Sequence, residues 1–234
     1  MNFLLHRHLA HEALGGLIEG AGAMLPDLWR MADRRVRTAP ADVARDLLGE
    51  GDAIARALIH GIEHHLEADL WFHEAAVFVE GERATIAALR GAQVAAKKLT
   101  LFAHPLWEMI LDGALVRRFG ERVVRTATAE GFRLAVDAFR AAAHVHHFAH
   151  AEDGEAYKDE FERNLLGLTN ALSTGPWIGA YASPEGLVRA LAGMRRRFGL
   201  PPFTEEERDR LAAAIATLEP RADAAVTEIL TRPA

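Results

Sequence analysis

A chain of 234 residues, 50% hydrophobic and 26% charged, is long enough for one large helical domain, alone or with an appendage, and for an ample core. The absence of cysteine excludes disulfides, a thiol nucleophile and thiolate metal ligands, so a metal must be held by His, Asp, Glu or water. A net charge of −6 argues against a general nucleic-acid binder, whose footprint is a basic excess. No window approaches the roughly 20 apolar residues of a membrane span. His6, Arg7, His8, His11 and Glu12 interrupt the apolar start at residues 3–5 too early for a signal peptide, so the cytoplasm is the expected compartment.

The chain is rich in Ala, Leu, Arg and Glu and lacks runs of alternating β-branched residues, which predicts an all-α protein. Helices are expected near 3–14, 24–36, 41–48, 52–79, 82–116, 121–151, 155–173, 184–198 and 204–230. Gly15-Gly16, Gly49-Glu50-Gly51, Glu80-Gly81, Phe119-Gly120, Asp153-Gly154 and Gly199-Leu200-Pro201-Pro202 supply the breaks. Ser183-Pro184-Glu185 reads as a helix start, and Thr204 followed by Glu207 fits a capping box. Residues 1–200 are expected to form one helical domain, with 201–234 a C-terminal helix packed on it.

Arg30, Arg34, Arg35 and Arg37 form one basic cluster, and Arg195, Arg196 and Arg197 form another. Each reads either as a solvated helix end or as a docking patch for an acidic partner or a phosphate. The run from Gly61 to His73 carries the most information, because His65, Asp69 and His73 fall four residues apart and leave one face of a helix. Two imidazoles and a carboxylate so placed can serve one divalent cation. The competing reading is an ordinary solvated face, which presents polar residues at the same spacing.

A second series, His104, Glu108 and Asp112, repeats the spacing inside an apolar stretch, residues 99–115, so two helices are expected to face each other across a metal. His144, His146, His147 and His150 read as a surface or core-edge group, and Trp71, Trp107 and Trp177 as core. No paired nucleophile and base supports serine hydrolase chemistry.

The opening Asn2-Phe3-Leu4-Leu5-His6-Arg7-His8-Leu9 resembles the start of the acyl carrier protein phosphodiesterase family. Gly22 followed by Asp27, Gly61-Ile62 with His65 and Asp69, and His104-Pro105-Leu106-Trp107-Glu108 resemble further elements of that family in the same order. Trp177-Ile178-Gly179-Ala180-Tyr181, Glu185-Gly186-Leu187 and Gly193-Met194-Arg195-Arg196-Arg197 resemble its closing region, so the likeness spans roughly residues 1–198.

The resemblance implies a single HD-like helical domain and a metal-dependent phosphodiester hydrolase that removes the phosphopantetheine arm from holo-acyl carrier protein. It implies Asp27, His65 and Asp69 as catalytic residues and His6, Asp27, His65 and Asp69 as metal ligands. The spacing adds His73, His104 and Glu108 to the ligands. The metal expected is manganese, with iron or zinc as alternatives. Arg30, Arg34 and Arg35 would then meet acyl carrier protein, with no nucleic acid or membrane as partner and the oligomeric state open.

Several positions depart from the family. Leu66 stands where it carries Arg, His73 and His104 each replace an Asp, Glu108 replaces an Asp, Met109 a His and Ala23 an Asn. Exchanging carboxylates for imidazoles suits Mn²⁺, Fe²⁺ or Zn²⁺ better than Mg²⁺. The alternatives are a helical binding or interaction protein without catalysis, and an HD-type iron oxygenase.

Overall fold

The computed structural model describes residues 3–33, 53–94, 99–145, 154–197 and 199–231. Every regular element among them is an α-helix, as composition and periodicity predict. In chain order these are α1 Phe3–Leu14, α2 Leu17–Gly22, α3 Leu25–Ala32, α4 Ala53–Phe72, α5 Ala76–Gly91, α6 Leu99–Phe119, α7 Glu121–Val145, α8 Gly154–Thr174, α9 Trp177–Tyr181, α10 Pro184–Arg197, α11 Glu205–Ala216 and α12 Glu219–Thr231. No described helix is long and apolar enough to cross a membrane.

The chain divides into two compact units. One holds residues 3–70 and 125–175. In it α1 ends at Gly15, whose φ of +81° only glycine adopts without strain, and the chain turns so that α2 packs on α1. Pro26 sits in the first turn of α3, where its missing N–H costs nothing. α3 packs on α8, with Asn164 Nδ2 donating to Ala32 O at 3.2 Å. Two glycines allow α2 to lie almost backbone to backbone on α4. A Cβ on Gly22 would stand 2.3 Å from Leu58 O, and one on Gly61 would stand 2.0 Å from Glu19 O.

The other unit comprises residues 71–124 together with those from 176 onward. Its core is α6, which packs on α5, α9, α10 and α12. Trp107 is fully buried in it, and its indole fills the space left by Gly81, where a Cβ would meet Trp107 Cε2 at 2.0 Å. Trp107→Ala is expected to cost about 3–5 kcal/mol, read from the midpoint of denaturant unfolding, because the cavity beside Gly81 cannot be refilled by a neighbour that has no side chain. Arg117 donates to Glu219 at 3.1 Å and to Asp223 at 2.8 Å, fastening the end of α6 to α12.

Local signals and observed boundaries part company in a few places. Glu80-Gly81, which reads as a break, lies inside α5, because Gly81 serves a close approach and not a turn. The expected 52–79 helix stops at Phe72, and Ala75 is extended (φ −62°, ψ 137°), although no Gly or Pro marks the place. The expected 82–116 helix is interrupted after Gly91, where Gln93 takes φ 55°. The expected C-terminal helix is two, α11 and α12, and the Thr204–Glu207 capping box opens the first. The short helices α2 and α9 lie outside every expected range, being too brief for a periodic pattern to mark them. The expected 41–48 helix, and His146, His147 and His150, lie outside the described residues.

Candidate metal centre

The six candidate ligands other than Asp27 fall into two triads, His6–His65–Asp69 and His73–His104–Glu108; within each, one donor atom per residue lies within 4.8 Å of the others. The four-residue series in the sequence therefore divides: His65 and Asp69 join His6 of α1, whereas His73, just past the end of α4, joins two residues of α6. Asp112, the third member of the second series, is fully buried in α6 and belongs to neither triad.

In the first triad, α4 supplies His65 and Asp69 one turn apart, and α1 brings His6 against them. His6 Nε2 stands 3.2 Å from Asp69 Oδ1, and His65 Nε2 stands 3.6 Å from Asp69 Oδ2. The two imidazole rings lie 4.0 Å apart, centroid to centroid, inclined by 32°. Donors around a tetrahedral cation with bonds of about 2.1 Å are spaced at about 3.4 Å, close to these separations. Both histidines are buried and Asp69 is partly exposed, which leaves an approach from solvent.

The orientation of His65 is decided by the backbone. Its Nδ1–H donates to Ala23 O at 2.8 Å, so a neutral ring turns the Nε2 lone pair toward Asp69. A lone pair facing a carboxylate is repulsive unless a proton or a metal cation lies between them. A carbonyl holding Nδ1–H in this way is the usual outer support of a metal-bound imidazole. Ala23 can reach His65 only because Gly22 and Gly61 let α2 and α4 close together. The motif glycines thus act on the site through packing.

Electrostatics separate the two imidazoles. Burial, and then the neighbouring His65, lower the pKa of His6 to about 4, against the opposing pull of Asp69 and Asp27. Burial also disfavours charge on His65, but Asp69 and Asp27, with the Ala23 hydrogen bond, raise its pKa above 6.5. The Asp69 carboxyl, despite the cost of burial, is held well below the usual carboxylate range by the two imidazoles. Asp27, half-buried in the first turn of α3, thus lies close enough for its charge to act on both histidines.

These directions fix a proton balance. At pH 6.5 His6 is neutral and His65 more than half protonated, so loading a cation should release a proton from His65. Apparent affinity is expected to rise with pH from 6.5 upward and to level off once His65 is neutral. Titration calorimetry in buffers of different ionisation enthalpy measures the released proton directly, and equal heats in all of them would contradict the assignment.

In the second triad Glu108 is buried, and one of its oxygens, Oε1, stands 3.3 Å from His104 Nε2 and 3.4 Å from His73 Nε2. Its carboxyl is held well below the usual range even though burial alone would raise it, with His104 and His73 among the causes. Glu82 of α5, which carries no spacing signal, faces the other nitrogen of His104 at 3.3 Å. Nothing in the sequence marks Glu82, since its partner is 22 residues away on another helix. Met109 is a core residue, and Leu66, where the family resemblance expects Arg, is half-buried on α4. Arg30 is exposed near the end of α3; Arg34 and Arg35 lie outside the described residues. Comparisons with protein-family models, curated proteins and solved structures return no match.

Proposed function

We propose that the first triad, with Asp27, is the centre of a metal-dependent phosphodiester hydrolase of HD-like type, and that its substrate is holo-acyl carrier protein. The observation that carries this reading is convergence: His6, Asp27, His65 and Asp69, the four residues selected by the family resemblance, come from three separate helices. Three of them meet around one carboxylate, and the fourth lies within electrostatic reach. Burying two imidazoles against an aspartate is costly unless a proton or a cation joins them, which favours this reading over a scaffold without chemistry.

His6, His65 and Asp69 would hold the cation, manganese by the resemblance, with iron or zinc equally suited to the donor set. When bound, such a cation lowers the pKa of water and neutralises phosphoryl oxygens. Asp27 accepts a hydrogen bond from the attacking water and aims it in line with the leaving oxygen, the positioning that phosphoryl chemistry chiefly requires. Ala23 O fixes the His65 ring. Hydrolysis adds water across one P–O bond and returns the pantetheine phosphate and the unmodified carrier.

The test is incubation of the Mn²⁺-loaded protein with holo-carrier protein, followed by intact-mass analysis. The carrier should lose its phosphopantetheine arm, and Asp27→Ala should leave it intact. An unchanged carrier mass with Mn²⁺, Fe²⁺ and Zn²⁺ alike would refute the substrate. Arg30→Glu is expected to lower kcat/KM and to flatten its dependence on ionic strength, because surface charge acts mainly on association. A second reading, an oxygenase at iron, is favoured by the donor set itself, two imidazoles and one carboxylate. Oxygen uptake by the Fe²⁺-loaded protein distinguishes it.

A further inference from the structure

We infer that His73, His104 and Glu108 form a second, independent binding site for a divalent transition-metal cation, with Glu82 as the residue that orients His104. Three elements converge there: the segment after α4 gives His73, α5 gives Glu82, and α6 gives His104 and Glu108 one turn apart. Neither the hydrolase reading nor the family resemblance supplies this arrangement, since the resemblance has Asp at the positions of His73, His104 and Glu108.

The geometry of His104 carries the inference. Both of its ring nitrogens face carboxylates, Nδ1 toward Glu82 Oε1 at 3.3 Å and Nε2 toward Glu108 Oε1 at 3.3 Å. A neutral imidazole has one N–H to give. With that proton on Nδ1 and directed at Glu82, the Nε2 lone pair points at an anionic oxygen, an arrangement that a second proton or a metal cation between them satisfies. Carboxylate, imidazole and metal in sequence are the common outer support of histidine sites. His73 Nε2 approaches the same Glu108 oxygen at 3.4 Å, so with the His73 proton on Nδ1 two nitrogen donors and one carboxylate share a common space.

The site is also held in shape. Phe78 is buried against both rings, its centroid 4.7 Å from that of His73 and 5.3 Å from that of His104, and Phe72 packs on Phe78 at 4.8 Å. The imidazoles thus have an aromatic wall behind them, while about a third of each side chain remains open to solvent. A cation can enter, and waters can complete its shell. Two nitrogen donors and one oxygen favour Zn²⁺, Co²⁺, Fe²⁺ or Mn²⁺ over Mg²⁺ and Ca²⁺, which take oxygen ligands.

Metal stoichiometry of the full chain, dialysed against Zn²⁺ and in parallel against Co²⁺, tests this without reference to any reaction. Wild type should retain two equivalents, His73→Asn and His104→Asn one each, and His65→Asn one. Combining His65→Asn with His104→Asn should leave none. Glu82→Gln should weaken the second equivalent by about 10–100-fold and leave the first unchanged. His73 and His104 are partly exposed, so these variants carry the test even if replacing buried Glu108 prevents folding.

Should wild type retain one equivalent, its loss in His104→Asn supports the inference, and its loss in His65→Asn alone overturns it. Unchanged stoichiometry in both His73→Asn and His104→Asn overturns it too, while leaving the hydrolase reading untouched. No retained metal in wild type overturns both.

Discussion

Asp69→Ala is expected to abolish metal retention at the first triad and to reduce phosphodiester hydrolysis by more than the 10–100-fold, roughly, that accompanies loss of an outer-shell partner. Asp69 is the member both imidazoles share, at 3.2 and 3.6 Å. It is also the triad's anionic donor, so its removal leaves two neutral nitrogens to hold a dication. Asp69→Asn keeps the shape and one oxygen while deleting the charge, and should fail nearly as badly. If Asp69→Asn bound Mn²⁺ within a few-fold of wild type, the carboxylate would not be a ligand. In metal-free protein the same change should lower the His65 pKa, followed by imidazole NMR, since Asp69 is among the groups that raise it.

The second large effect needs no change to any ligand. Gly61→Ala should destabilise the protein by about 1–3 kcal/mol and cost metal affinity as well. Helix propensity alone predicts the opposite, a gain of about 1 kcal/mol for replacing glycine by alanine within a helix. The sign therefore tests the packing argument. A Cβ at residue 61 would stand 2.0 Å from Glu19 O and 2.8 Å from Ala23 N, both backbone atoms that cannot rotate aside. α2 must retreat from α4, and the 2.8 Å bond from His65 to Ala23 O stretches with it. At Gly167, in α8, an added Cβ would have nothing within 4 Å, so Gly167→Ala should follow propensity and stabilise by about 0.5–1 kcal/mol. Chemical denaturation of the two variants beside wild type reads both signs. A stabilised Gly61→Ala that still holds metal would remove the link between the helix contact and the site.

Both effects depend on contacts between different helices, which is where the linear sequence is least informative. The all-α class is legible because composition and apolar periodicity are properties of each segment by itself. The His65–Asp69 and His104–Glu108 pairs are legible for the same reason: a separation of four residues on a helix makes neighbours whatever surrounds them. So is the capping box at Thr204, whose two bonds span three residues.

What tertiary structure alone decides is which pair meets which third residue. His73 continues the four-residue series of His65 and Asp69, yet α4 ends at Phe72 with no Gly or Pro to signal it, and His73 joins Glu108 instead. His6 finds its partners about sixty residues away, and Glu82 finds His104 on the next helix. Gly81 looks like a break and acts as a socket for Trp107, while Gly22 and Gly61 look like motif residues and act as the contact that sets the His65 ring. Spacing specifies neighbours within one helix because a covalent chain of known pitch connects them. Neighbours on different helices are chosen by how closely two surfaces can approach, a sum over many small contacts and a few missing Cβ atoms.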